Sequence, residues 1–279
     1  MRYGAPIFDS YSSPSEWVER IRKHGYSAAL SPVKSDCGDA EAIAFGIAAG
    51  RADIVIAEQG AWHCNCLSPD NREREQSVAL CIRSLEIAEL LGAKCCVAIS
   101  GSLGKLWCGP HKDNISDRAF EMVVENTRRI IDAVQPKKSS FTWEPMPWTF
   151  PYNSQSQLRL LEAVDRAAFA VHYDPINMIY SPDRYFNSGK YVSEFTGSLG
   201  QFIKSCHIKD IILTDDFIWQ LHECPPGEGA FDYDALFMEL DKLDPDLPVM
   251  PEHLPDQNAY DKAGAFIKRK LEDLGIRLR

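Results

Sequence analysis

Short apolar runs alternate with longer segments whose apolar residues recur every three or four positions, and the alternation continues along the whole chain. The short runs are YGAPIF (3–8), SAALSP (27–32), DIVIAE (53–58), KCCVAIS (94–100), SFTWEP (140–145), AFAVHYD (168–174), SCHIKD (205–210) and LPVMPE (247–252), eight in all. Their length and composition suit buried strands. Helices are expected between them. Ser13-Pro14-Ser15-Glu16 precedes WVERIRKHG, and Ser116-Asp117 precedes RAFEMVVENTRRIIDAV. In each, a hydroxyl is placed to accept a hydrogen bond from the free first turn. In PDNREREQSVALCIRSLEIAELLG, the residues Val78, Ile82, Leu85 and Ala88 follow one another at spacings of four, three and three, which makes one apolar stripe to lay on a sheet.

Eight strand-helix units with parallel crossovers close most economically into a single (β/α)8 TIM barrel, so the expected fold is α/β with one domain over residues 1–279. A doubly wound open sheet is the alternative, but no G-x-G-x-x-G follows the first strand. Two connections are longer than packing requires: SGSLGKLWCGPHKDNIS after the fourth strand and IILTDDFIWQLHECPPGEGAFD after the seventh. Both would leave the barrel at its C-terminal face, where barrel enzymes keep their active sites.

Composition narrows the function. No apolar run approaches the roughly 20 residues needed to cross a bilayer, so no membrane association is expected. The start MRYGAPIFDSYSSPSEW lacks the apolar core of a secretion signal, which makes a cytoplasmic location the expectation. Nine cysteines, with Cys95 beside Cys96 and with Cys64 and Cys66 in CNC, form neither a paired disulfide framework nor a C-x-x-C zinc ladder. They read as thiols of structural role. A net charge of −10 argues against nucleic acid, whose binding proteins usually carry a basic stripe. The expected partner is a small molecule, and a homo-oligomer is compatible with the sequence.

The ends of the fifth to eighth strands carry the chemistry. Glu144 lies in FTWEP, Asp174 in VHYDP, His207 in CHIKD and Glu252 in MPEH, at separations of 30, 33 and 45 residues. These match two ordinary βα repeats and one enlarged by the long seventh connection, so the four side chains should converge at one side of the barrel mouth. A charge at the end of a buried strand is unfavourable unless it is paired, and a metal ion is a sufficient partner. Any one of the four alone reads as an ordinary loop residue. Together, three carboxylates and an imidazole suit one divalent ion, Mn²⁺, Mg²⁺ or Co²⁺, with Zn²⁺ also able to bind.

These residues resemble the xylose-isomerase-like TIM-barrel superfamily, and within it the sugar phosphate isomerase/epimerase group of ketose 3-epimerases and inosose-processing enzymes. The resemblance is carried by EQGAWHCNCLSPDNRER, WEPMPW, HYDPIN, CHIKD, PPGEG with Asp232 following, and PEH, from Glu58 to Glu252. It implies that Glu144, Asp174, His207 and Glu252 hold the ion and that Glu144 and Glu252 exchange substrate protons from opposite faces. The group also places a histidine shortly after the aspartate and an arginine shortly after the metal-binding histidine, to hold substrate oxygens. Asn177 and Lys209 stand in those regions here.

The expected activity is isomerisation or epimerisation of a carbohydrate or cyclitol by proton transfer at the carbon beside a carbonyl that the ion polarises. A keto-sugar or keto-cyclitol lyase or dehydratase on the same centre is the alternative. An endonuclease IV-like phosphodiesterase is disfavoured by the acidity and by the seven histidines in all. Further substrate-binding candidates are Glu58, Trp62, His111 and Glu228, with Trp107 and Trp148 as apolar walls. His253 is expected to point away from Glu252 if the last strand persists through it.

Overall fold

The computed structural model describes residues 1–279. Its strands are β1 (Arg2–Tyr3), β2 (Ala28–Ala29), β3 (Val55–Ile56), β4 (Glu58–Gly60), β5 (Cys95–Ala98), β6 (Ser140–Trp143), β7 (Val171–Tyr173), β8 (Ile203–Ile208), β9 (Asp210–Leu213), β10 (Leu221–Cys224) and β11 (Pro248–Pro251). β3 and β4 are two halves of one run that bends at Ala57: the first half pairs with β2 and the second with β5, both in parallel. Parallel pairing continues from β5 to β6, from β7 to β8, from β8 to β11 and from β11 to β1. A bridge between Phe141 and Phe169 joins β6 to β7. The Ser27 N–H, donating to Tyr3 C=O at 2.9 Å, joins β2 to β1. Eight positions therefore close a ring, and with helices between them the fold is a (β/α)8 TIM barrel.

The helices begin where the side chains can cap them. Ser13 Oγ accepts from the Glu16 N–H ahead of α1 (Pro14–Lys23), and Ser116 Oγ accepts from the Ala119 N–H ahead of α4 (Asp117–Val134). The long α3 (Asn71–Leu91) is capped by Asp70 and ends at Gly92, whose φ of 70° is a left-handed conformation that costs glycine least. Val78, Leu85 and Ala88 of α3 are buried and Ile82 is half-buried, as the apolar spacing requires. The remaining helices are α2 (Asp39–Arg51), α5 (Ser154–Val164), α6 (Pro182–Phe186), α7 (Ser188–Leu199), α8 (Tyr233–Leu240) and α9 (Gln257–Asp273).

A core of 59 buried residues runs through barrel and helices. Trp143, the last residue of β6, is fully buried, packs edge-on against Phe141 and donates Nε1–H to Thr127 Oγ1 of α4 at 2.7 Å. This packing fixes the end of β6 just before Glu144. Truncating a buried tryptophan of this kind typically costs about 3–5 kcal/mol.

Two details differ from the sequence expectation. The first strand lies at Arg2–Tyr3 instead of 3–8, because the backbone of Gly4 lies hard against the Ala28 carbonyl and the chain then leaves the sheet through Pro6. The seventh connection is not a plain loop: β9 and β10 pair antiparallel within it, with Asp210 opposite Cys224 and Leu213 opposite Leu221.

Candidate metal centre

Strand register brings the four strand-end residues together. Glu144 follows β6 and its N–H donates to Ala98 C=O at 2.8 Å. Asp174 follows β7, His207 lies in β8 opposite Met250, and Glu252 follows β11 with its N–H directed at Ile208 C=O. One donor atom from each lies within 4.8 Å of every other. His207 Nδ1 is at the centre, 3.0 Å from Glu252 Oε2, 3.6 Å from Glu144 Oε1 and 3.9 Å from Asp174 Oδ2.

The donor set fits a divalent cation. His207 Nδ1, Asp174 Oδ2 and Glu252 Oε1 are buried and make no directed hydrogen bond, an arrangement that folded proteins rarely tolerate. Lys209 Nζ lies 2.7 Å from Asp174 Oδ2 and 2.5 Å from Glu252 Oε1, so its contribution is a charge contact. The carboxylates of the cluster carry more negative charge than the Lys209 ammonium offsets, an imbalance that a divalent cation would reduce.

Proton affinities respond to the same crowding. Burial pushes the Asp174 carboxyl up to about 7, against the pull of Lys209. Burial also disfavours ionised Glu144 and Glu252, yet the neighbouring His207 and Lys209 outweigh it and hold both carboxyls below their ordinary range. His207 is opposed by burial as well, but Glu252 and Glu58 raise it well above its ordinary value. Without an ion, His207 thus carries a proton that ion binding would displace.

Glu58 stands at the cavity, where a substrate contact was expected, and is also engaged beside the cluster. Its Oε1 accepts from His207 Nε2 at 3.0 Å, its Oε2 lies 3.5 Å from His172 Nδ1, and its residue exposure is 3%. With Nε2–H given to Glu58, the other ring nitrogen faces the three carboxylates. This is the second-partner arrangement that fixes the orientation of metal-binding histidines. His172, whose Nδ1 pairs with Ser205 Oγ at 2.6 Å, completes the buried chain behind it.

The cluster lies at a cavity of about 1120 Å³ whose lining includes Glu144, His207, Glu252 and the neighbouring Glu58, while Asp174 is fully buried and not part of the lining. Trp62, Trp107, Trp148 and Asn177 also line it, and so do His63, Glu223, His253 and Tyr260, which the sequence did not single out as cavity residues. Trp62 lies across Gly60, where any β-carbon would strike its indole. That glycine in EQGAW is the signal in the sequence for its placement. Asn177 donates Nδ2–H to Glu144 Oε1 at 3.0 Å and accepts from Lys209 Nζ at 3.1 Å, which links the two candidates to the carboxylates. His111 and Glu228 do not line the cavity: His111 Nδ1 accepts from the Asp113 N–H, and Glu228 is exposed in a turn closed on Pro225 C=O. His253 does not point away from Glu252. β11 stops at Pro251, His253 takes a φ of 58°, and its ring lies 3.0 Å from Glu223 Oε1 and 3.5 Å from Glu252 Oε2.

Residues 12–270 match the family model described as xylose isomerase-like TIM barrel, and the chain belongs to that family. No curated protein sequence matches significantly. Among solved structures, a D-tagatose 3-epimerase-like protein superposes with a TM-score of 0.73 at 17% identity, covering 99% of this chain and 98% of that one. D-psicose 3-epimerase from Clostridium cellulolyticum H10, solved with D-tagatose, gives 0.69 at 14% identity and 98% of both chains. A xylose isomerase-like TIM barrel protein from Mycobacterium smegmatis in complex with magnesium gives 0.66 at 16% identity, covering 94% of this chain and 89% of the other.

Proposed function

We propose that this xylose isomerase-like barrel is a divalent-metal-dependent isomerase or epimerase of a sugar or sugar derivative, acting by proton transfer beside a carbonyl. The observation that carries the reading is the convergence of Glu144, Asp174, His207 and Glu252, with three buried donor atoms that make no directed hydrogen bond, beside the cavity. The structural relatives solved with D-tagatose and with magnesium support the substrate class and a hard ion.

Glu144, Asp174, His207 and Glu252 would hold the ion. When bound, a divalent ion would polarise the substrate carbonyl and stabilise the negative charge developing on its oxygens. Glu144 and Glu252 are both ionised near neutrality, so either can accept a proton. One carboxylate takes the proton from the carbon beside the carbonyl, and the C–H electron pair moves towards the carbonyl oxygen. The other, once it has taken a proton from solvent, returns that proton to the opposite face, giving the epimer, and the first releases its proton to solvent. Asn177 holds Glu144 Oε1 in place through its amide. Trp62, Trp107 and Trp148 offer apolar faces to the sugar ring.

The test is turnover of a panel of ketoses and keto-cyclitols in D₂O, followed by NMR with Mg²⁺ or Mn²⁺ occupancy verified. Deuterium should enter the carbon beside the carbonyl with the formula otherwise unchanged. Glu144→Gln and Glu252→Gln should each lower turnover at least about a hundredfold. Turnover without deuterium entry would indicate an internal hydride shift and overturn the two-glutamate assignment. Loss of water or of a glycosyl group would instead assign the lyase reading.

A further inference from the structure

Cys64 and Cys66 of the CNC motif, in the connection between β4 and α3, meet Cys81 of α3 in the core, and all three are at most 1% exposed. Cys81 Sγ lies 3.7 Å from Cys64 Sγ and 3.9 Å from Cys66 Sγ, and the three sulfurs are all within 4.8 Å of one another. A bond of about 2.3 Å from sulfur to a thiophilic ion places neighbouring sulfurs about 3.8 to 4.0 Å apart around a tetrahedral or trigonal centre. Two separate segments, the connection before α3 and α3 itself, supply the three sulfurs.

We propose that Cys64, Cys66 and Cys81 form a second, soft-metal site that takes a monovalent thiophilic ion such as Cu⁺, separate from the oxygen-rich centre at the barrel mouth. Soft thiolates select this kind of ion, and the hard divalent ions suited to the carboxylate site do not compete for it. The cluster contains no histidine or carboxylate as a fourth donor. Cys64 Sγ also faces the Ala61 and Ile99 carbonyls at 3.1 and 3.6 Å. A three-sulfur environment suits a three-coordinate ion. A cysteine binds a metal as its thiolate, and thiolate sulfur is the donor that selects soft monovalent Cu⁺. Binding displaces the proton of each thiol that becomes a ligand, and no electron is transferred. Ala61 immediately precedes Trp62 and His63, so an ion here would tie the wall of the cavity to α3.

The experiment is anaerobic titration of the reduced, Mg²⁺-loaded full-length chain with Cu⁺ in competition with bathocuproine disulfonate, together with X-ray absorption at the copper edge. One Cu⁺ per chain should be retained, with three sulfur neighbours at about 2.3 Å. Cys81→Ser and Cys64→Ala should each weaken retention at least about a hundredfold, while the combined Cys37→Ser, Cys108→Ser, Cys224→Ser variant, which removes the three half-buried thiols, should retain copper like the parent. Failure of the parent to hold Cu⁺ against the chelator, oxygen or nitrogen neighbours in the absorption spectrum, or undiminished retention by Cys81→Ser would overturn the proposal. The spectrum of the parent protein decides even if a core variant does not fold.

Discussion

The Nε2–H of His207 has one acceptor, Glu58 Oε1, and that pair decides which ring nitrogen faces the carboxylates. Glu58→Gln keeps the size but offers either an amide oxygen or an amide NH₂, and a neutral oxygen accepts more weakly than a carboxylate. Mn²⁺ affinity, measured by calorimetry at fixed pH, should fall about 10- to 100-fold, the usual effect of losing a partner behind a metal-binding histidine. Unchanged affinity would mean that Glu58 only fills the barrel. Nothing in the one-dimensional sequence distinguished this role from a substrate contact. Glu58 closes the apolar run DIVIAE but begins β4 in the fold, and β4 is separated from β8 by 142 residues from Gly60 to Ile203, excluding both, so that only the closed ring brings them face to face. Lys209 was legible as a cation near the site, yet its position between Asp174 and Glu252 depends on β8 breaking after Ile208, which the apolar run SCHIKD did not announce.

At the level of elements, what could be read was set by burial. Strands enclosed on both faces leave unbroken apolar runs, so the barrel strands and their terminal carboxylates were visible, whereas β9 and β10 were not: the apolar part of β9 is only Ile211–Leu213, directly after SCHIKD, and β10 carries exposed His222 and Glu223. The bend at Ala57 and the φ of His253 were hidden for a related reason: both are made by backbone geometry that composition does not record. One element-level contact has a measurable consequence. The Glu89 carboxylate near the end of α3 accepts from the N–H groups of Lys138 at 2.9 Å and Ser139 at 3.0 Å, which anchors the entry to β6 and thereby the strand that carries Glu144. Burial disfavours ionised Glu89, but those N–H groups outweigh it and hold its carboxyl below the ordinary range. Its stabilising contribution is therefore full above the unfolded value of about 4.3 and is lost as pH falls through the lower folded value. Glu89→Gln should cost about 1–2 kcal/mol in urea unfolding at pH 7, and the gap to the parent protein should shrink below about pH 4. A gap that stays constant with pH would show that charge plays no part in the anchor.

At the level of the whole molecule, the four clustered side chains come from β6, β7, β8 and β11, so an ion bound among them spans strands between residues 140 and 251 and can bind only the closed barrel. An ion that binds the folded state alone stabilises it by mass action, by about 2.7 kcal/mol when its concentration is a hundred times the Kd. For a chain of this size that corresponds to a rise in Tm of about 5 °C or more. Mg²⁺ or Mn²⁺ added to chelator-treated protein should produce this rise, and His207→Ala should remove most of it, since the imidazole is the group to which the three carboxylates are drawn. Lys209→Met gives the opposite signature. In the absence of the ion, the ammonium is the fixed positive charge touching both Asp174 and Glu252, so its loss should lower the Tm of the ion-free protein. The rise on adding Mg²⁺ should then be larger than in the parent, because the ion relieves a repulsion that the lysine had covered. Equal shifts in the parent, His207→Ala and Lys209→Met would place the ion elsewhere on the molecule and leave the convergence at the barrel mouth without the cation that its charge requires.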